Sequence, residues 1–528
     1  MITLTLSHAV HAQIGESFQI SGEQVTFGDV DNFQISPDGT RVVYIADQNT
    51  DNVFEIFSVP ITGGTPVRLN ANLVSGGRVS SFQISADGAR VVYVADQNTD
   101  SVSDIFSVPI TGGTPVRLTS NLIMPGDGVF ADDVSPDGAR VVYTADPEGS
   151  TDDIFSVPIA GGTPVQLNSN PGFSGFVDFF KISPDGARVV YLTGEEIIYS
   201  VPITGGTSVR LSAKNLFLRE FIDDFKISAD GARVVYITDQ NTEFVDEIFS
   251  EPITGGTPVR LNADLGSFNR VADFRISADG ARVVYRADQN TGGVDEIFSV
   301  PIAGGTPVRI NGNLVLGGDV SSFIISPNGA RVVYRADAIT DGVFELFSVS
   351  IQGGGGARLN PVLTNANDVL GFEISTDSQT VVFEWNTFSA TFGILPRLSS
   401  VPITGGVANQ LNPIFGGEIS GFDISPNNQR VVFRAVDQNS ANGEIEIFSV
   451  NIDGSNRTQL NDDLPFGGDV NSFRISPDGL FAVYIADQDV FDEDELFAHQ
   501  LAELPEPPEV DFCFPISASN GNTAVVCL

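Results

Sequence analysis

The longest apolar run that recurs along the chain, ARVVYVAD at residues 89–96, is unbroken rather than alternating. A strand buried on both faces reads that way, as when sheets stack against neighbouring sheets. Ahead of it comes SSFQIS (80–85), which ends in the tight turn Ala86-Asp87-Gly88. Pro or Ala, then Asp or Asn, then Gly predicts a type I turn closed by a residue in the left-handed region. Where Gly is lost, Ser378 and Asn428 take its place; Asn tolerates that conformation and Ser less well. After the apolar run a polar turn rich in Asp, Asn and Thr leads to a third strand, DIFSVPI (104–110). Thr-Gly-Gly then turns the chain into TPVRL (114–118), shorter and more polar. The unit is four strands.

The unit is copied ten times, its turn serine recurring at Ser36, Ser85, Ser135, Ser183, Ser228, Ser277, Ser326, Ser375, Ser425 and Ser476, at spacings of 45 to 51 residues. Four strands repeated at this length predict an all-β chain, a β-propeller of four-stranded antiparallel blades. Residues 13–500 are assigned to it, as ten repeats of about 49 residues. The tenth copy lacks a TPVRL-like fourth strand, and Ser17-Phe18-Gln19-Ile20 stands at the right distance before Phe33 to supply it. Such a clasp hides strand edges, and it predicts a single ten-bladed ring closed by an N-terminal strand. Two smaller rings are the alternative, although no linker marks the middle of the chain. Copies 4, with the short turn LTGEEIIY, and 8, with ATFGILPRLSS, depart most from the repeat.

Residues 424–461 carry ISPNNQRVVF, then EIFSVNIDGSNRTQLN. The order of turn, apolar strand, EI-aromatic strand, DGSN turn and short final strand resembles the TolB-like, WD-type propeller repeats. Those repeats occur in bacterial envelope proteins and in the propellers of prolyl-oligopeptidase-like peptidases. The resemblance covers about residues 30–500 and implies the fold and an extracytoplasmic setting; it implies no particular activity. The related peptidases keep their catalytic residues in an α/β-hydrolase domain, and this chain has none.

Composition narrows the partners. The 528 residues carry a net charge of −40 with only 27 Lys and Arg, of which Lys181, Lys214 and Lys226 are the lysines. Nucleic acid is therefore excluded as the expected partner, and a cationic partner or divalent cations are favoured. Residues 1–12, MITLTLSHAVHA, read as the remnant of a secretory signal peptide cleaved before Gln13, although the first basic residue is Arg41; the true start is expected upstream. No later stretch is apolar enough to span a membrane. The expected location is periplasmic or secreted. A Pro-rich linker (501–510) precedes a C-terminal segment (511–528) that reads as a β-hairpin about Asn520-Gly521. A three-residue loop sets Cys513 opposite Cys527, and a two-residue loop offsets them by one. A structural disulfide between the two is expected in an oxidising compartment.

Catalytic groups are scarce. His499 is the one histidine after residue 12, so Ser-His or Cys-His chemistry has a single imidazole to draw on, and a His/Cys zinc site is excluded by count. A solvated or core-edge role is expected for it. The 67 acids leave glycosidase chemistry open, since two carboxylates suffice. The middle turns, Asp47-Gln-Asn49-Thr-Asp51 and Asp96-Gln-Asn98-Thr-Asp100, with partial versions at Asp239, Asp288, Asp437 and Asp487, place oxygen ligands at alternate positions. They lack the glycine and distal glutamate of a calcium loop, and Asp, Asn and Thr are ordinary turn formers.

One further position is acidic in neighbouring copies. Just before the first strand stand Asp29, Asp319, Asp368, Glu418 and Asp469 in copies 1, 7, 8, 9 and 10, against Arg78 and Arg270 in copies 2 and 6. In a closed ring those five acids form one arc at a channel mouth, a candidate partner-binding surface; duplication of GGDV with solvated charges is the plainer account. The recurrent arginines of ARVVY and TPVRL are expected to make ion pairs between blades. The function expected is a non-enzymatic, cofactor-free platform, binding a protein or a small cationic or glycan ligand through the loops around the channel. A carboxylate-based carbohydrate-active enzyme and a calcium-stabilised structural protein are the alternatives.

Overall fold

In a computed structural model the chain forms ten four-stranded antiparallel sheets and one two-stranded hairpin. Described are residues 16–119, 128–146, 152–168, 176–212, 222, 225–242, 244–267, 269–363, 367–389, 393–412, 417–436, 443–489 and 493–502, with the strands of the terminal hairpin. The signal-like segment 1–12, the linker residues 503–510 and Asp437 lie outside the described residues.

The N-terminal strand is β1 (Ser17–Gln19), and blade 1 follows as β2 (Val30–Ile35), β3 (Arg41–Ala46), β4 (Glu55–Pro60) and β5 (Val67–Arg68). Their order in the sheet is β2-β3-β4-β5, and the other blades repeat it. First strands of adjacent blades touch one another, so these strands line the channel. β2 carries a bulge between Val30 and Asn32, repeated in blade 2 between Val79 and Ser81; bulges sharpen the twist of the strand that carries them. Because the meander alternates in direction, the SPDG-type and Thr-Gly-Gly turns share one face of the ring. The middle turns and the connections between blades share the other.

The unbroken apolar strand has the predicted cause. Val42, Tyr44 and Ala46 of β3 pack with Val483, Leu496 and Ala498 of blade 10, whereas Val43 and Ile45 pack with Val91, Tyr93 and Phe106 of blade 2. Successive residues of one strand thus serve opposite interfaces. A fully buried Val, Ile or Phe is worth roughly 1.5–3 kcal/mol, so the interfaces between blades hold the fold. The middle hairpins of nine blades add an aromatic stack, Tyr44 on Phe57 at 5.4 Å in blade 1, whereas in blade 8 Ser399 stands opposite Phe383.

The turn before β3 is locked by its own side chains. Ser36 Oγ donates to Asp38 Oδ1 at 2.6 Å and accepts from the Arg41 amide at 2.9 Å, while Gly39 takes a φ of 71°. Ser378 and Asn428 adopt the same left-handed backbone, at 62° and 60°. In blade 8 the irregular stretch is a long hairpin, Thr380–Ser389 paired with Gly393–Pro402. At the C-terminus Cys513 and Cys527 are directly paired in the backbone register of the last hairpin, the offset of the three-residue-loop reading.

The ring closes as one. β1 pairs with the third strand of blade 10 (Glu495–Gln500), Ser17 opposite His499 and Gln19 opposite Phe497. Ile20, 1% exposed, enters the interface between blades 10 and 1 with Phe18 against it. Removing residues 1–22 deletes about 3–5 kcal/mol of buried apolar contact and bares the Glu495–Gln500 edge. With an unfolding entropy near 1 kcal/mol/K for a ring of this size, the melting temperature should fall by about 4 °C. Concentration-dependent association should appear in sedimentation.

Blade 5 breaks the repeat internally: Glu251 stands where blade 1 has Val59, and is 1% exposed. Its Oε1 accepts the Gly256 amide at 3.1 Å, and burial pushes its carboxyl up to about 7. A folded-state value above the ordinary 4.5 means that folding takes up a proton. The cost is therefore absent below about pH 4.5 and grows as pH rises through 7. Glu251→Val should raise the melting temperature more at pH 8 than at pH 4.5, measured by calorimetry at both.

Candidate functional site

On the face of the interblade connections, the repeated acids hold backbone donors. Asp47 accepts the Asp29 amide at 2.5 Å on Oδ1 and the Asn52 amide at 2.7 Å on Oδ2. Asp288 and Asp337 do the same for Arg270 and Gly293, and for Asp319 and Gly342. The middle-turn aspartate thus fastens its own turn and the incoming connection with one carboxylate. No group of three or more His, Cys, Asp or Glu side chains suited to a metal occurs among the described residues.

The acidic arc is placed as a set of braces between blades. Asp29 Oδ1 accepts the Asp494 amide of blade 10 at 2.9 Å, and Asp319 accepts the Asp295 amide of blade 6 at 2.7 Å. Asp368 accepts from Phe344 of blade 7 at 2.8 Å, and Asp469 from Ile445 of blade 9 at 2.6 Å. All four are half-buried, whereas Glu418, Arg78 and Arg270 are exposed. The arginines also differ from the expectation of pairing between blades. Arg68 pairs with Glu55 of its own blade at 2.7 Å, as Arg309 does with Glu296 at 2.6 Å. Arg41 Nε donates to Ser58 Oγ at 2.8 Å across one hairpin. These strand positions face along the sheet, so their partners come from the adjacent strand. His499 is buried at the edge of the core, Nδ1 2.8 Å from the Leu460 carbonyl oxygen, and burial lowers its pKa.

The channel holds a position that reading along the sequence passed over. Two residues before each turn serine stand Gln34, Gln83, Asp133, Lys181, Lys226, Arg275, Ile324, Glu373, Asp423 and Arg474 in blades 1 to 10. Several make one contact in common, a reach to the next blade's innermost strand. Gln34 Nε2 donates to the Phe82 carbonyl oxygen at 3.0 Å, and Gln83 Nε2 to that of Asp132 at 2.9 Å. Lys181 Nζ donates to Phe225 at 2.7 Å, Lys226 Nζ to Phe274 at 2.6 Å and Arg275 Nε to Phe323 at 2.9 Å. Lys226 Nζ also lies 4.5 Å from the centre of the Phe274 ring. Two of the chain's three lysines therefore sit in adjacent blades with an arginine beside them. Aligning the copies on the turn serine exposes that grouping.

A cavity of about 450 Å³ opens among these blades, lined by Lys181, Lys226 and Arg275 together with Ile182, Ile227 and Ile276 and three further residues of blades 4 and 7. Elsewhere on the ring, in blades 8 and 9, Glu373 and Asp423 have raised pKa values. Burial and the neighbouring Asp423 carry Glu373 to about 7 despite the Ile424 amide. For Asp423 burial outweighs the opposing Arg474.

Fold and site together define a β-propeller of four-stranded antiparallel blades, ten blades in one ring. Residues 43–176 match the Lipoprotein LpqB β-propeller domain family. No curated protein matches the sequence. Among solved structures, the putative TolB from Agrobacterium tumefaciens is 18% identical over 56% of this chain and 95% of its own, with a TM-score of 0.27. A eukaryotic initiation factor is 10% identical over 77% and 93%, at 0.48. Dipeptidyl peptidase 4 of Porphyromonas gingivalis is 12% identical over 78% and 65%, at 0.47. Nothing about activity or partners follows from likenesses at these values. No helix among the described residues is long and apolar enough to cross a membrane.

The braces and the exposed acid of the arc should separate on substitution. Asp319→Ala strands the Asp295 amide and should cost about 1–3 kcal/mol. Glu418→Ala should stay within about 0.5 kcal/mol of the parent. Urea unfolding of both variants reads the difference.

Proposed function

We propose that the protein is a non-enzymatic, extracytoplasmic binding propeller that takes its ligand or partner at the channel rather than at the acidic arc. One observation carries this reading. Most of the arc carboxylates are committed to holding the ring, whereas the channel position varies from blade to blade and borders a cavity of about 450 Å³. A constant scaffold with a variable, concave lining is the usual layout of a binding site. The extracytoplasmic setting is supported by the signal-like segment 1–12 and by the likeness of residues 43–176 to a lipoprotein's propeller.

A second reading is favoured by Glu373 and Asp423, two half-buried acids in adjacent blades with raised pKa values. Paired carboxylates of that kind serve glycoside hydrolysis. One experiment separates the two. The purified chain is incubated with a panel of peptides and of neutral and acidic oligosaccharides, and bound and free fractions are weighed by mass spectrometry. Binding predicts retention of at least one component with every mass unchanged. Cleavage of a component, abolished by Glu373→Gln, would replace the binding reading with the enzymatic one.

A further inference from the structure

One sector of the ring gathers apolar side chains that no part of the fold covers. Six of them belong to blades 7 and 8: Leu316, Ile339, Val362, Leu370, Phe388 and Ile394, between 50% and 99% exposed. They come from the connection into blade 7, its middle turn, the connection into blade 8, and that blade's first strand and middle hairpin. All of these open on the face of the interblade connections. On the opposite face Val407, beside the Gly405-Gly406 turn, is the one large hydrophobic more than half exposed among the described residues.

The blade 8 hairpin gives the sector its shape. Its strands, Thr380–Ser389 and Gly393–Pro402, have ten residues each, against six in the same strands of blade 1. At about 3.3 Å per residue it projects about 13 Å further. Phe388 and Ile394 stand directly opposite one another near its tip, and so share one side of the ribbon. Leu395, on the other side, is buried, so the ribbon lies packed along that side. At its base the Trp385 indole Nε1 donates to Ser399 Oγ at 3.0 Å. An element already held in place loses little freedom when a partner arrives.

Charge decides what covers such a surface. Asp341 shares the middle turn of Ile339, and Glu418, at the entry to blade 9, lies within electrostatic reach of Glu384 in the hairpin; both Asp341 and Glu418 are exposed. No Lys or Arg is exposed among the described residues of 312–345, 360–372, 384–397 and 417–420. With a net charge of −40 on the whole chain, the sector repels an anionic lipid surface and a second copy of itself, and attracts a cationic surface. Beyond the channel reading, and independent of it, we propose that this sector docks another protein through a basic amphipathic segment. The segment's apolar face covers Phe388, Ile394 and their neighbours, and its flanking Lys and Arg meet Asp341 and Glu418. Laying an amphipathic segment's apolar face on an apolar surface is a recurrent mode of recognition.

The probe is a synthetic amphipathic helix of Leu and Lys, labelled for fluorescence anisotropy in physiological salt. One twin replaces every Lys by Glu, and another replaces every Leu by Ser. The hairpin variant combines Phe388→Ser and Ile394→Thr, and the charge variant combines Asp341→Asn and Glu418→Gln. Val407→Ser, on the opposite face, is the control, and melting temperatures check that each ring is intact. The Leu/Lys peptide should bind the parent at least tenfold tighter than either twin. Affinity should fall tenfold or more in the hairpin variant and at least threefold in the charge variant, and stay unchanged in Val407→Ser. The proposal is overturned if the parent does not bind the peptide, or if the hairpin variant binds within twofold of the parent. A Ser/Lys twin that binds as tightly overturns it in favour of diffuse charge attraction, and a Leu/Glu twin that does so removes the basic partner. Co-sedimentation with phosphatidylglycerol vesicles, or self-association in ultracentrifugation, that is lost in the hairpin variant would overturn it in favour of a lipid surface or a second copy.

Discussion

Every blade depends on both neighbours, because its second strand divides its apolar residues between two interfaces. Val42 and Tyr44 belong to one cluster and Val43 and Ile45 to the next. A blade alone would leave both sets in water, and an open array would leave one set bare at each end. The N-terminal strand resolves this by completing blade 10, which brings Ile20 and Phe18 into the last interface. Stability in such a ring comes from nearest-neighbour contacts. Closure is what makes the number of interfaces equal the number of blades.

The polar groups follow from the same constraint. Packed blades bury the ends of their strands, and amides there need acceptors. Asp47 and its equivalents supply them within a blade, and Asp29, Asp319, Asp368 and Asp469 supply them across to the blade before. The high acid content is thus partly architectural. Where a cation pairs with a buried acid, as Arg68 does with Glu55, it does so inside its own sheet. Function is left to positions that the scaffold does not need to repeat.

That division explains how much was legible beforehand. Strand order, blade number and the clasp were readable because they rest on a period and on apolar texture, which ten copies reinforce. The left-handed Ser378 and Asn428 were readable from turn chemistry alone. The arc acids were readable as positions and not as braces, since a hydrogen bond from Asp319 to the amide of Asp295 in another blade leaves no mark on local sequence. The ion pairs were assigned across blades when they lie within one, because a strand position does not reveal which way a long side chain lies. The cation group in the channel was hidden differently. Lys181, Lys226 and Arg275 are 45 to 49 residues apart and unlike their counterparts in other copies, so only alignment on the turn serine brings them together.

The account depends on one closed ring of ten, since only then do blades 4 to 7 border a shared channel and β1 complete blade 10. Electron cryo-microscopy of the intact chain, averaged in face-on views, tests this most directly. The account predicts ten spokes around one channel, with no gap at the junction of the first and last blades. Two smaller rings, or an arc open at that junction, would contradict it.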